Sequence, residues 1–149
     1  MNIQAYIGLE TPDKTIRAIQ CQQGCGLLET GLILINNYQT PEQVEQLIRL
    51  GNLSKLDPKP DNCITYRRNG DTGPQIAKYD QPREFNLDKL HHTDLEYLYL
   101  FQLSQAGHWR WYAKAWRPSE YNYDVRRQLN TGLKRGQWKS VSAAIKKMQ

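Results

Sequence analysis

Apolar residues recur at every second position over residues 95–103 and again over 109–116, the period of a β-strand. In the first run Leu95, Tyr97, Tyr99, Phe101 and Leu103 share one side, while Leu98 and Leu100 stand among Glu96 and Gln102 on the other. A strand apolar on both sides belongs in the interior of a sheet. The turn Gln105-Ala106-Gly107-His108 leads into the second run, where Trp109, Trp111, Ala113 and Ala115 are core positions. The opposite side, Arg110, Tyr112, Lys114 and Trp116, is cationic and reads as wet. Two further hairpins are predicted. Residues 3–9 and 15–20 flank the turn formers of Glu10-Thr11-Pro12-Asp13-Lys14, and residues 63–68 and 75–79 flank Asn69-Gly70-Asp71.

Helical signals separate these strands. After a glycine-containing loop over residues 21–26, residues 27–38 read as a buried helix with Leu28, Gly31, Leu32 and Ile35 on one face. Thr40-Pro41-Glu42-Gln43 is a strong start signal, with a capping threonine, a proline at the first helical position and a glutamine able to close a capping box. Val44, Leu47 and Ile48 then form a stripe, and Gly51 ends a helix over 41–50 by supplying a left-handed residue. A short helix is expected over 86–92, and two more over 119–130 and 137–148. The last has Trp138, Val141, Ile145 and Met148 as its apolar side and Lys139, Lys146 and Lys147 away from it. The class is α+β: a small antiparallel sheet of three hairpins packed by helices. Residues 1–117 form the core domain, and 118–149 form a basic helical extension packed on it.

A chain of 149 residues suits one domain, and it contains no apolar run able to span a bilayer and no basic-then-apolar leader. Three cysteines, Cys21, Cys25 and Cys63, cannot pair completely, which points to thiols in a reducing compartment and to the cytoplasm. The net charge of +5 is strongly segregated. Residues 1–107 hold ten Lys and Arg against 13 Asp and Glu, whereas residues 108–149 hold ten against two. A positive end of this kind attracts phosphate-rich or acidic partners with an affinity that falls as salt rises.

The strongest chemical signal is the interleaving of Arg110, Tyr112, Lys114 and Trp116, continued by Arg117, Arg126, Arg127, Lys134, Arg135 and Lys139. Aromatic faces stack on unpaired bases at about 1–3 kcal/mol per base while Arg and Lys neutralise phosphates. The bland alternative is that Tyr112 and Trp116 pack beneath the C-terminal helices and the charges only solvate that surface. Residues 119–133 and 137–148 also match a loose helix-turn-helix around Asn130-Thr131-Gly132, with Lys139 and Ser140 opening the recognition helix. Cys21, Cys25 and Cys63 with His91, His92 or His108 are donors for zinc, but they lack the two tight pairs of a structural site, and no metal or other cofactor is expected. No local motif supports a catalytic Cys–His pair, and the carboxylates of Asp71, Asp80, Asp88, Asp94 and Glu96 form no acid–base pairing. Gly24-x-Gly26 lacks the remaining residues of a phosphate-binding loop.

The order Ile19-Gln20-Cys21, a loop, Gly31 to Tyr38, Thr40 to Gly51-Asn52-Leu53-Ser54-Lys55-Leu56, then Glu96 to Phe101 with Trp109-Arg110-Trp111-Tyr112 resembles a family of small phage and prophage proteins. The resemblance extends over residues 3–116 and is best over 19–56. Gln22, Gln23, Gly24 and Cys25 stand where that family has His, Trp, Asp and Gly, and the segment after Arg117 is an addition to the family pattern. The resemblance implies a mobile-element origin and, by lifestyle, an inhibitor of a host defence complex of the anti-CRISPR kind. Such a protein acts stoichiometrically in the host cytoplasm on effector protein, guide RNA or target DNA, without catalysis and away from membranes. A nucleic-acid-binding accessory protein with no defence target is the alternative, and a small enzyme built on Cys21, Cys25 and His108 is the third.

Overall fold

A computed structural model describes residues 4–67, 70, 72–81, 84–85, 95–104, 106–115 and 138–148. The strand predicted to be interior has a neighbour on each side in its sheet. β1 (Ala5–Glu10) and β2 (Ile16–Gln23) form the opening hairpin, and β6 (Tyr97–Leu103) lies against the other edge of β1. β7 (Trp109–Ala115) returns antiparallel along β6, and β8 (Lys139–Ser140) adds to β7. On the far side β3 (Leu53–Lys55) and β4 (Ile64–Thr65) extend the sheet from β2, giving the order β4-β3-β2-β1-β6-β7-β8. β5 (Ala77–Tyr79) also pairs with β2.

The α+β class holds, but the sheet is mixed where an antiparallel one was expected. β1 runs parallel to β6, and β2 runs parallel to β3. Parallel neighbours need a crossover, and the helices between β2 and β3 supply one. The middle hairpin also differs from expectation, because β4 pairs with β3 and β5 pairs with β2. The eight residues of β2 offer a longer outer edge than the three of β3 can fill. β3 therefore takes Cys21 and Gln23 while β5 takes Ile16 to Ala18, and both ends of β2 find backbone partners. The same pairing draws Cys21 to Gln23 into the strand, where the sequence read as a loop.

The helix over 27–38 starts as a π-helical turn (Leu27–Gly31) and continues as α1 (Leu32–Asn37). The wider turn shifts the buried face. Leu27, Thr30, Gly31, Leu34 and Tyr38 are buried, whereas Leu28, Leu32 and Ile35 are only half-buried. α2 (Pro41–Arg49) matches its prediction to within one residue, with Leu50 as its C-cap. Thr40 and Gln43 close the capping box, Val44, Leu47 and Ile48 are buried, and Gly51 follows at φ +80°. A side chain at Gly51 would also meet Pro74 Cα at 2.8 Å.

The last helix is α3 (Val141–Met148), shorter than the predicted 137–148 because Lys139 and Ser140 are taken into β8. Its Val141, Ala144 and Ile145 join the main core, so this end of the chain completes the sheet and its helical layer. The predicted helices at 86–92 and 119–130 lie outside the described residues.

Two cores flank the sheet. The larger, beneath α1, α2 and α3, takes Ala5, Ile7 and Leu9 of β1 with Tyr97, Tyr99 and Phe101 of β6. The smaller, on the opposite face, takes Tyr6, Ala18, Leu98 and Leu100 with Phe85 and Leu95. Phe85 sits close over Gly8, where an added Cβ would lie 3.1 Å from its ring. Among the described residues no helix is long and apolar enough to cross a membrane.

A candidate partner-binding surface on the last long strand

Strand alternation divides β7 as its sequence predicts. On the helix side Trp111 and Ala113 are buried and Trp109 is half-buried. Trp109 stacks on Phe101 with ring centres 5.3 Å apart, and Trp111 tilts against the same ring at 5.0 Å. The Trp111 indole N–H donates to the Tyr38 carbonyl at 2.8 Å, which fixes β7 to the end of α1.

The other side of β7 carries Arg110, Tyr112 and Lys114, opposite Gln102, Leu100 and Leu98 of β6. Arg110 is exposed, and Tyr112 and Lys114 are half-buried. From Arg110 to Lys114 the strip runs about 13 Å at the usual rise of a strand. The Lys114 ammonium lies 4.8 Å from the centre of the Trp138 ring, and Trp138 in turn stacks on Phe85 with centres 6.2 Å apart. Trp138 was expected on the apolar side of the last helix. It instead precedes β8, whose pairing with β7 puts it with the smaller core. Phe85 and Trp138 could not be assigned to this surface from sequence, because the sheet pairing that gathers them is tertiary.

At the first half of β7 a cleft of about 200 Å³ opens between the sheet and the helices. Trp109, Trp111 and Phe101 line it together with Ile35, and Gln39, Arg110, Ser140 and Ser142 supply its polar groups. Arg110 therefore belongs both to the basic strip and to the aromatic cleft. The combination provides one exposed cation beside indole surface and hydroxyl and amide hydrogen-bonding groups.

Trp116, Arg117, Arg126, Arg127, Lys134 and Arg135 lie outside the described residues. The Lys139 backbone pairs with Ala113 in β8. That pairing corrects the helix-turn-helix expectation, since Lys139 and Ser140 form a strand where a recognition helix was to begin; its first helix lies outside the described residues.

The residues of the predicted Cys–His site are divided. The sulfurs of Cys21 and Cys25 are 2.8 Å apart and buried. Cys21 is level with Ala5 and Tyr97, whereas His108 lies in the turn beyond the Leu103 and Trp109 pair at the other end of β6. Six residues of strand separate the two levels, about 20 Å. Cys63 is held elsewhere, its sulfur accepting from the Asp57 N–H at 3.3 Å and lying 3.8 Å from the Tyr38 hydroxyl. His91 and His92 lie outside the described residues. Among the described residues no three His, Cys, Asp or Glu side chains gather into a metal-ligating group. No protein-family model, curated protein or solved structure matches this chain.

Proposed function

We propose that this chain is a stoichiometric binding protein that docks on an effector complex of a host defence system through the basic, aromatic side of β7. The partner's contribution is an acidic protein surface or the phosphates of guide or target nucleic acid. The observation that carries the binding reading is the register of Arg110, Tyr112 and Lys114 on one side of β7, with Arg110 also on the lip of the aromatic cleft. The choice of a defence complex rests on the resemblance to phage proteins over residues 3–116. Arg117, Arg126, Arg127, Lys134, Arg135 and Lys139 extend the same charge in sequence, and Trp116 continues the aromatic interleaving.

All four tryptophans lie between residues 109 and 138, so intrinsic fluorescence reports on this region. Short single-stranded and duplex RNA and DNA are titrated into the wild type and the Arg110→Glu, Lys114→Glu double variant at low and physiological salt. The same pair is then assayed for inhibition of reconstituted defence complexes. Inhibition that the double variant loses while its fold stays intact supports the proposal. Unchanged inhibition or binding in a folded double variant removes it. Salt-sensitive binding of free oligonucleotides without inhibition of any complex selects the alternative, a nucleic-acid-binding accessory protein, which the neighbouring indole surface favours.

A further inference from the structure

The contact between Cys21 and Cys25 is built rather than incidental. β2 carries Cys21 inward on the helix side, where it is fully buried. Two residues later the strand ends, and Gly24 turns the chain at φ +63°. A side chain there would strike the Glu29 carboxylate, 2.6 Å from the Cβ position. The Thr30 hydroxyl donates to the Gly24 carbonyl at 2.8 Å, and the buried Tyr99 hydroxyl donates to the Cys25 carbonyl at 2.6 Å. With both carbonyls held, Cys25 packs back on Cys21, its thiol donating to the Cys21 sulfur at 2.8 Å. A bond between them requires the sulfurs to approach by less than about 1 Å.

We infer that Cys21 and Cys25 form a dithiol–disulfide couple that exchanges with small-molecule disulfides, while Cys63 stays outside it. The roles of the two sulfurs differ. Donation from Cys25 favours the thiolate at Cys21 and lowers its pKa, whereas the bond it donates and its burial hold the proton on Cys25. Cys21 is therefore the attacking sulfur. The residues that join the pair, Gln22 to Gly24, are half-buried to exposed, and a local opening of this turn is the route by which a small reagent enters.

The exchange proceeds in two displacements. The Cys21 thiolate attacks one sulfur of the small disulfide, breaks its S–S bond and releases one small thiolate, leaving a mixed disulfide on Cys21. Cys25 gives up its proton, its sulfur attacks the Cys21 sulfur, and the second small thiolate leaves. The protein loses two electrons and two protons, and the small disulfide is reduced to two thiols.

The test uses the full chain equilibrated in buffers of oxidised and reduced glutathione over a range of ratios. Samples are quenched in acid, denatured and alkylated, and their intact and peptide masses are measured. The expected result is the joint loss of two alkylatable thiols in a single transition, a mass lower by two hydrogens, and a bond mapped to Cys21 and Cys25 with Cys63 alkylated throughout. In Cys25→Ser a stable glutathione adduct is expected on Cys21, and in Cys21→Ser no adduct is expected on Cys25. Three alkylatable thiols at the most oxidising ratio, or a bond that includes Cys63, overturns the proposal. An adduct found on Cys25 rather than Cys21 in the single variants overturns the assignment of the attacking sulfur.

Discussion

The two faces of the sheet are built from the same strands yet are finished differently. On the helix side two polar groups within the core end on backbone acceptors: Tyr99 on the Cys25 carbonyl and Trp111 on the Tyr38 carbonyl. On the other side Leu98 and Leu100 are buried, but the neighbouring strand turns outward to Arg110, Tyr112 and Lys114, with Lys114 over Trp138. Hydrogen bonds that terminate inside a core fix one packing, whereas an exposed cation at its rim, as at Arg110, can meet a partner's charge. Stability should therefore concentrate on the first face and recognition on the second. Substitutions on each face can break that division.

The largest effect is expected at Phe101, which is 1 % exposed and packs against both Trp109 and Trp111. Phe101→Ala should cost about 3–5 kcal/mol in chemical denaturation, through reduced burial and the cavity left between the indoles. A cost near 1 kcal/mol would mean that the indoles collapse into the space and that this face is less tightly fixed than its packing implies. Next comes Tyr99→Phe, which removes one oxygen and leaves the Cys25 carbonyl without its donor. The expected cost is about 1–3 kcal/mol by the same measurement, the range for a buried polar group left unpaired.

How far this division could be read from the chain depends on whether the signal is local. The start and stop of α2 come from Thr40, Pro41, Gln43 and Gly51, each acting within a turn of its own position, and the structure reproduces them. The parity of β7 is equally local, so counting alone places Arg110, Tyr112 and Lys114 on one side. β3, β4 and β5 are two or three residues long; β3 and β5 exist through the edge of β2 and β4 through β3, pairings that no short window contains. Trp138 follows the same rule, since it fits a periodic helix pattern in sequence while the pairing of β8 with β7 decides its face. The Cys21 and Cys25 contact has a faint signal in a spacing of four with a glycine between. Its meaning depends on β2 continuing past Cys21, and that continuation is set by β3.

On the second face the Arg110→Glu, Lys114→Glu variant should separate binding from folding. Its stability should fall by at most about 1 kcal/mol, the scale of a cation–π contact at a partly exposed site. Affinity for a phosphate-bearing partner should drop about tenfold or more, and the salt dependence should weaken by about 0.9 in slope for each duplex phosphate that the variant no longer neutralises. A cost of several kcal/mol with no specific change in salt dependence would make the strip a structural rim and return recognition to other residues.

The smallest effect belongs to Glu10, which alternation puts on this second face with Tyr6 and Gly8, and which is 8 % exposed. Burial raises its pKa above the usual glutamate range, and the nearby Lys14 charge only partly opposes this. A carboxyl with a raised folded-state pKa binds its proton more tightly in the folded chain than in the unfolded one. Its contribution to stability is therefore full below the unfolded-state pKa and is lost as pH rises through the folded value. Glu10→Gln removes that dependence. Melting temperatures measured from pH 4 to pH 8 should show the variant gaining on the wild type across the raised pKa and holding a small advantage at neutrality. If the wild type is instead the more stable at neutral pH, the charge of Lys14 outweighs the burial. The second face would then hold its charges in place for folding, and the distinction between a face that folds and a face that recognises would have to be redrawn at β1.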